Sequence, residues 1–121
     1  MPEKITVILV DDHNVVRKGL RTAIEASDIE VIAEASSAEE ALQQLKFQEP
    51  KVLVTDISLP GMGGLELVDK VSKDHPKVHT LVLSMHKEDE YILRAFEVGA
   101  LGYLPKDTTE DELSHAIRII E

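Results

Sequence analysis

Five polar residues in this 121-residue chain share one context: each comes just after a short apolar run. Asp11 and Asp12 follow Ile5 to Val10, Asp56 follows Val52 to Thr55, Ser84 follows Val78 to Leu83, and Lys106 follows Gly102 to Leu104 across Pro105. Taken singly, each has a plain structural reading. Asp12 is a candidate helix cap, Asp56 ends an apolar run, Ser84 starts a turn and Lys106 is a solvated amine. Taken together they make three carboxylates, a hydroxyl and an amine. Two carboxylates about 5 Å apart repel by roughly 3 kcal/mol at an effective dielectric near 20, so three of them gathered at one place need a cation or a proton. A small set of oxygen ligands suits Mg²⁺, which keeps several waters and completes its shell with phosphate oxygens. The chemistry that follows is phosphoryl transfer, with one carboxylate as acceptor, the lysine neutralising charge and the hydroxyl donating a hydrogen bond. Asp56 is the candidate acceptor, because Asp11 and Asp12 are adjacent and form a natural metal pair.

For these residues to meet, the runs before them must lie side by side. Five runs rich in Val, Ile and Leu, at Ile5 to Val10, Glu30 to Ala35, Val52 to Thr55, Val78 to Leu83 and Gly102 to Leu104, begin 25, 22, 26 and 24 residues apart. Between them the apolar residues recur with helical period, as in Val15, Val16, Leu20, Ala23 and Ile24, or Leu65, Leu67, Val68 and Val71. Ser37-Ala38-Glu39-Glu40 and Thr109-Glu110-Asp111-Glu112 have the form of capping boxes. Strand and helix alternating five times predict an α/β domain with a parallel sheet covered by helices on both faces. The nearly unbroken apolar runs Ile5 to Val10 and Val52 to Val54 fit strands buried on both sides. In such a sheet ligands bind beyond the carboxyl ends of the strands, which is where the five polar residues fall.

Composition narrows the function classes. The chain has the size of a single domain, and its formal net charge of −10 gives it no electrostatic footprint for nucleic acid or an anionic membrane. It has no cysteine, which excludes disulfides, thiolate metal sites and cysteine nucleophiles. The N-terminal apolar run is too short for a signal peptide or a membrane span. A soluble, cytoplasmic protein is expected.

The residues above, in this order, resemble the receiver domain of two-component response regulators. The match rests on the Asp11-Asp12 pair, Asp56 within Val54-Thr55-Asp56-Ile57-Ser58-Leu59-Pro60-Gly61-Met62-Gly63-Gly64, Ser84 in Leu83-Ser84-Met85-His86, and Lys106 after Gly102-Tyr103-Leu104-Pro105. The resemblance spans Ile5 to Ile120 and implies a flavodoxin-like (βα)5 three-layer sandwich with strand order 2-1-3-4-5, residues 1–121 forming the one receiver domain. It implies that Asp56 accepts a phosphoryl group from a histidine kinase, and that Asp11, Asp12, Asp56 and the backbone carbonyl of Ser58 hold Mg²⁺. It further implies that Ser84 and Lys106 engage the phosphoryl oxygens, and that Tyr103 changes rotamer with Ser84 to switch the face made by the fourth helix, fifth strand and fifth helix. On this reading the chain is a signalling switch and not an enzyme acting on other substrates, and removing Lys106 leaves Mg²⁺ binding largely intact. Asp11-Asp12-His13 with Arg17, Gly19 and Leu20, together with Gly99 to Tyr103 and Lys106-Asp107, is most similar to receivers joined to a LuxR-type helix-turn-helix. Contact with DNA is then expected only through an output domain outside this segment, and a phosphorylation-dependent homodimer joins the kinase among the candidate partners.

Asp107 follows Lys106 where many receivers have proline, and Met85 stands beside Ser84 where many have a smaller residue. Ser58 and His86, two residues after Asp56 and Ser84, sit where side chains help or hinder an attacking water. His75 and His79 are expected in the loop before the fourth strand, separated by the helix-breaking Pro76. His13 and His86 are expected near the acidic edge. Gly61, Gly63 and Gly64 lack the Lys-Ser/Thr ending of a phosphate-cradling loop and read as a turn leading into a helix. An aspartyl phosphatase would need an acid where Ser58 stands, and a flavin-type phosphate site would not present Asp11 and Asp12. The remaining alternative is a receiver-like interaction module that works without phosphorylation.

Overall fold

The computed structural model describes residues 4–26 and 28–121. Ten elements alternate: β1 (Ile5–Val10), α1 (Asn14–Ile24), β2 (Ile29–Ala35), α2 (Ala38–Leu45), β3 (Val52–Thr55), α3 (Gly64–Asp74), β4 (His79–Ser84), α4 (Asp89–Glu97), β5 (Gly102–Pro105) and α5 (Glu110–Ile120). The strands form one sheet in the order β2-β1-β3-β4-β5, and all four pairings are parallel. This is the flavodoxin-like α/β sandwich the resemblance implies.

Although β1 and β3 are apolar apart from Thr6 and Thr55, their side chains still alternate between two cores. Val7, Leu9, Val54, Leu81 and Leu83 pack with Ile24 of α1 and with Leu113 and Ile117 of α5. Ile8, Val10 and Leu53 face the other way, onto Ala38, Ala41 and Leu45 of α2 and Leu67 and Val71 of α3. Val82 joins Val68 of α3 and Ala95 of α4 in a third cluster beneath Ile57. Helices on both faces force each strand to be apolar on both sides, which hides the period of two in the sequence.

The helix starts follow the sequence at two of the three places expected. Ser37 and Thr109 accept from the backbone N–H groups of Glu40 and Glu112. Asp12 does not cap α1. The residue before that helix is His13, which makes no side-chain cap, and the carboxylate that turns back is that of Asp11, accepting from the His13 N–H at 2.9 Å. Of the two histidines expected in the loop before β4, His75 lies there, just after α3, and His79 does not. His75 closes α3, and His79 opens β4 with its ring Nδ1 against the Ile120 carbonyl. Pro76 ends α3, but β4 begins three residues later. Among the described residues, no helix is long and apolar enough to cross a membrane.

Candidate functional site

Asp11, Asp56 and Lys106 are each tied by their backbone to a neighbouring strand. The Asp11 N–H donates to the Ala35 carbonyl at the end of β2, the Asp56 N–H to Val10 at the end of β1, and the Lys106 N–H to Ser84 at the end of β4. The parallel register sets Val10 beside Thr55 and Ser84 beside Pro105. Pro105 lies on the edge strand β5, where a residue without an N–H is tolerated. The sheet edge is therefore a rigid frame that brings residues from four sequence regions to one place.

At its centre the Lys106 ammonium lies 3.0 Å from Asp11 Oδ2 and 2.7 Å from Asp56 Oδ2. Both aspartates are buried. Burial works against the lysine's charge, but its hydrogen bonds to Asp56 and Asp11, together with their negative charges, outweigh that and raise its pKa above the ordinary lysine value. Part of the charge balance that the sequence reading asked of a cation or a proton is thus met within the chain: the ammonium of the residue after β5 lies between two of the three carboxylates. The other oxygens are directed by the backbone. Asp56 Oδ1 accepts from the Ser58 N–H at 3.3 Å, and the Asp56 carbonyl accepts from the Thr55 hydroxyl.

Asp12 is exposed, beside His13, whose Nδ1 lies 3.1 Å from Asp12 and 3.3 Å from Asp11. Ligand atoms of Asp11, Asp12 and His13 all lie within 4.8 Å of one another. With Asp56 joined to Asp11 through Lys106, the edge offers hard oxygen donors whose negative charge calls for cations, and Mg²⁺ fits such a set.

Ser84 is buried, and its hydroxyl accepts from the His86 N–H at 3.0 Å. The His86 carbonyl accepts from the Tyr103 hydroxyl at 2.7 Å. The His86 ring stacks on Tyr91 with centroids 4.2 Å apart, and its Nε2 lies 3.1 Å from the Ser58 hydroxyl. Ser58, Ser84, His86 and Tyr103 thus form one connected group beside Asp56.

Two contributors to the site had no assigned role in the sequence. Gly64, read there only as part of a turn, starts α3 directly against the Asp56 backbone: a Cβ on it would lie 2.0 Å from the Asp56 carbonyl oxygen. Gly61 supplies the turn itself with a φ of 68°. Arg17, noted only as part of the resemblance, donates to the Asp11 carbonyl at 2.6 Å. A steric limit at Gly64 leaves no trace in one sequence, whereas the i, i+6 spacing of Asp11 and Arg17 across a helix start is visible once the helix is placed.

Comparison with known proteins gives one answer. The family model described as "Response regulator receiver domain" matches residues 7–118. The response regulator GacA of Pseudomonas protegens is 35% identical over 117 residues, which cover 96% of this chain and 55% of GacA. The response regulator UvrY of Escherichia coli is 37% identical over 117 residues, covering 96% of this chain and 54% of UvrY. The chain thus spans about half the length of these curated relatives. Among solved structures, the signal receiver domain of NarL from Mycobacterium tuberculosis superposes with a TM-score of 0.92 at 33% identity, covering 98% of this chain and 96% of that one. A LuxR-family two-component response regulator from Aurantimonas superposes with a TM-score of 0.92 at 37% identity, covering 98% of this chain and 85% of that one. With the fold, the site and the sequence match in agreement, the chain belongs to the receiver domains of two-component response regulators.

Proposed function

We propose that Asp56 is phosphorylated by a histidine kinase and that this controls an output domain of the LuxR helix-turn-helix type lying outside residues 1–121. The observation that carries the reading is the Lys106 ammonium held against both Asp11 and Asp56. A carboxylate fixed beside a cation is prepared to attack an electrophile whose charge that cation then shares. An Asp56 carboxylate oxygen attacks phosphorus, the bond between phosphorus and the kinase imidazole breaks, and the imidazole leaves with the bonding pair. Lys106 then turns from Asp56 toward the phosphoryl oxygens, and the Ser84 hydroxyl donates to them. Asp11, Asp12, Asp56 and the Ser58 backbone carbonyl would hold Mg²⁺, which supplies neutralisation of charge on the transferring group. Hydrolysis of the acyl phosphate by water returns Asp56 to its starting form, so the chemistry serves a switch that acts on itself. The response passes through Ser84 and Tyr103 to the face of α4, β5 and α5. The kinase, a homodimer formed on phosphorylation and, through the output domain, DNA are the partners this function entails, and the cytoplasm is its setting.

The test is exposure to acetyl phosphate with Mg²⁺, read by intact-mass spectrometry. One phosphoryl group is expected on the wild type and none on Asp56→Asn. Equal labelling of both would overturn the site. Absence of labelling by any small donor or kinase would favour an interaction module that works without phosphorylation.

A further inference from the structure

A single planar side chain grips both ends of the loop that carries Asp11 and Asp12. Arg17, on the first turn of α1, donates from Nη1 to the Asp11 carbonyl at 2.6 Å, from Nη2 to Asn14 Oδ1 at 2.6 Å, and from Nε to Glu34 Oε1 at 2.8 Å. Its side chain is 13% exposed. Asp12 and His13 lie between the two gripped residues, so the Arg17 guanidinium limits how far this part of the loop can shift relative to Asp11 and α1.

The anchor for this grip is Glu34 on β2, and its placement depends on an irregularity in the sheet. Val7 pairs with Val31 but Ile8 pairs with Ala33, so β2 carries one extra residue at that point. Because side chains alternate along a strand, one extra residue reverses which face every later residue presents. Glu34 consequently lies across from Leu9, whose side chain faces α1. Its second oxygen accepts from Arg21 Nη1 at 2.7 Å. Hydrogen bonds from Arg21, and then from Arg17, hold the Glu34 carboxyl below the ordinary glutamate pKa against the opposing effect of burial.

We propose that Arg17 is a positioning residue for the divalent-ion site, holding the loop after β1 so that Asp11 and Asp12 meet the ion as a preformed pair. The proposal rests on the Mg²⁺ reading of the site given above. It extends that reading outward to α1 and the edge of β2, to residues outside the proposed ligand set. Lysine cannot replace the grip, because an ammonium is a point donor and lacks the fork that reaches three acceptors at fixed angles. Groups that orient metal ligands from behind are worth about ten- to a hundredfold in metal affinity.

The experiment compares wild type, Arg17→Met, Arg17→Lys and Glu34→Gln in Mg²⁺ titrations without phosphodonor. Amide shifts of Asp12 and His13 report the dissociation constant, and thermal melting is measured alongside. A dissociation constant raised about tenfold in Arg17→Met, with a smaller rise in Arg17→Lys and Glu34→Gln, is expected. Lower melting temperatures with unchanged Mg²⁺ affinity would make Arg17 a purely structural link between α1 and β2 and overturn the proposal. If Arg17→Met does not fold, Arg17→Lys decides: a several-fold rise supports the role and a wild-type constant refutes it. A wild type that takes up no Mg²⁺ would instead remove the reading beneath the proposal, and the proposal with it.

Discussion

Replacing Lys106 with methionine removes the cation from between Asp11 and Asp56 while keeping much of the apolar stem. At 2.7 and 3.0 Å, each contact carries about 6 kcal/mol of gross attraction at an effective dielectric near 20, most of which is offset by the desolvation of the three charged groups. The net loss expected on breaking such a buried arrangement is about 3–5 kcal/mol, because two buried carboxylates are left without the cation between them, each keeping only a backbone N–H or a histidine ring as partner. At roughly 4 °C per kcal/mol for a domain of this size, metal-free Lys106→Met should melt about 12–20 °C below wild type. Mg²⁺ should reverse part of this. In the wild type an incoming divalent ion must share the carboxylates with a resident ammonium; in the variant it does not. Removing Lys106 should therefore tighten Mg²⁺ binding, contrary to the sequence-based expectation that binding would be largely intact. A tenfold gain in affinity would add about 1.4 kcal/mol of stabilisation at saturating metal. Calorimetric melting across a magnesium series measures both quantities. Equal melting of the two metal-free proteins would show that the ammonium contacts contribute nothing net, and an unchanged or weaker magnesium constant in the variant would show that lysine and metal do not compete. Either result would refute the electrostatic reasoning.

Two further outcomes follow from the same geometry. Gly64→Ala puts a methyl group 2.0 Å from the Asp56 carbonyl oxygen, so α3 or the Asp56 loop must move. A loss of at least 1–3 kcal/mol in urea unfolding is expected, with slower labelling of Asp56 by acetyl phosphate, and wild-type stability in this variant would refute the contact. Lys106 is predicted to give an alkaline limb to stability: its folded pKa is raised above the ordinary lysine value, so its contribution is complete below that value and is lost as pH rises through the folded one. Unfolding titrations of wild type and Lys106→Met should converge in that range, and a constant difference would contradict the sign.

The alternation of elements and the convergence of Asp11, Asp56, Ser84 and Lys106 were legible because both follow from spacing. Apolar runs about one βα unit apart leave few topologies, and residues just beyond parallel strands must share an edge. The strand bounds shifted by one residue where a polar side chain ends a buried run, as at Ser84, which belongs to β4. What escaped the sequence depends on contacts between elements. The face shown by Glu34 is set by one extra residue in β2, and alternation read along Ile29 to Ala35 alone does not reveal it. The cap of α1 was misassigned because Asp11 and Asp12 are chemically equal candidates; the buried carboxylate, not the exposed one, turns back on the His13 N–H. Lys106 was foreseen at the shared edge with the acids, but as a partner of the transferring group; its direct contacts with Asp11 and Asp56 in the unmodified site depend on side-chain packing that spacing does not reveal.

If Asp56 is modified as proposed, the hydrogen bonds around it give a route by which the change would be felt beyond it. The Ser84 hydroxyl accepts from the His86 N–H, and the carbonyl of the same His86 accepts from the Tyr103 hydroxyl. A phosphoryl group on Asp56 offers the Ser84 hydroxyl strong acceptor oxygens. Rotation toward them carries the Ser84 oxygen away from the His86 N–H, so one residue loses a backbone partner at the moment its carbonyl is held by a tyrosine of β5. The His86 ring is meanwhile shared between the Ser58 hydroxyl on the Asp56 side and Tyr91 on α4. A loop fastened at these points cannot yield at one without changing the others, because each hydrogen bond fixes the orientation of the same few backbone units. The two arrangements then differ in discrete contacts, and a ligand or modification shifts such an equilibrium only by its differential interaction with the two states. His86→Ala removes the ring contacts but keeps both backbone bonds. If the coupling runs through the backbone, phosphorylated His86→Ala will still show the chemical-shift change at Tyr103 expected of the wild type. If the stacked ring is the route, that change will be lost while Asp56 remains fully labelled, and the backbone argument fails.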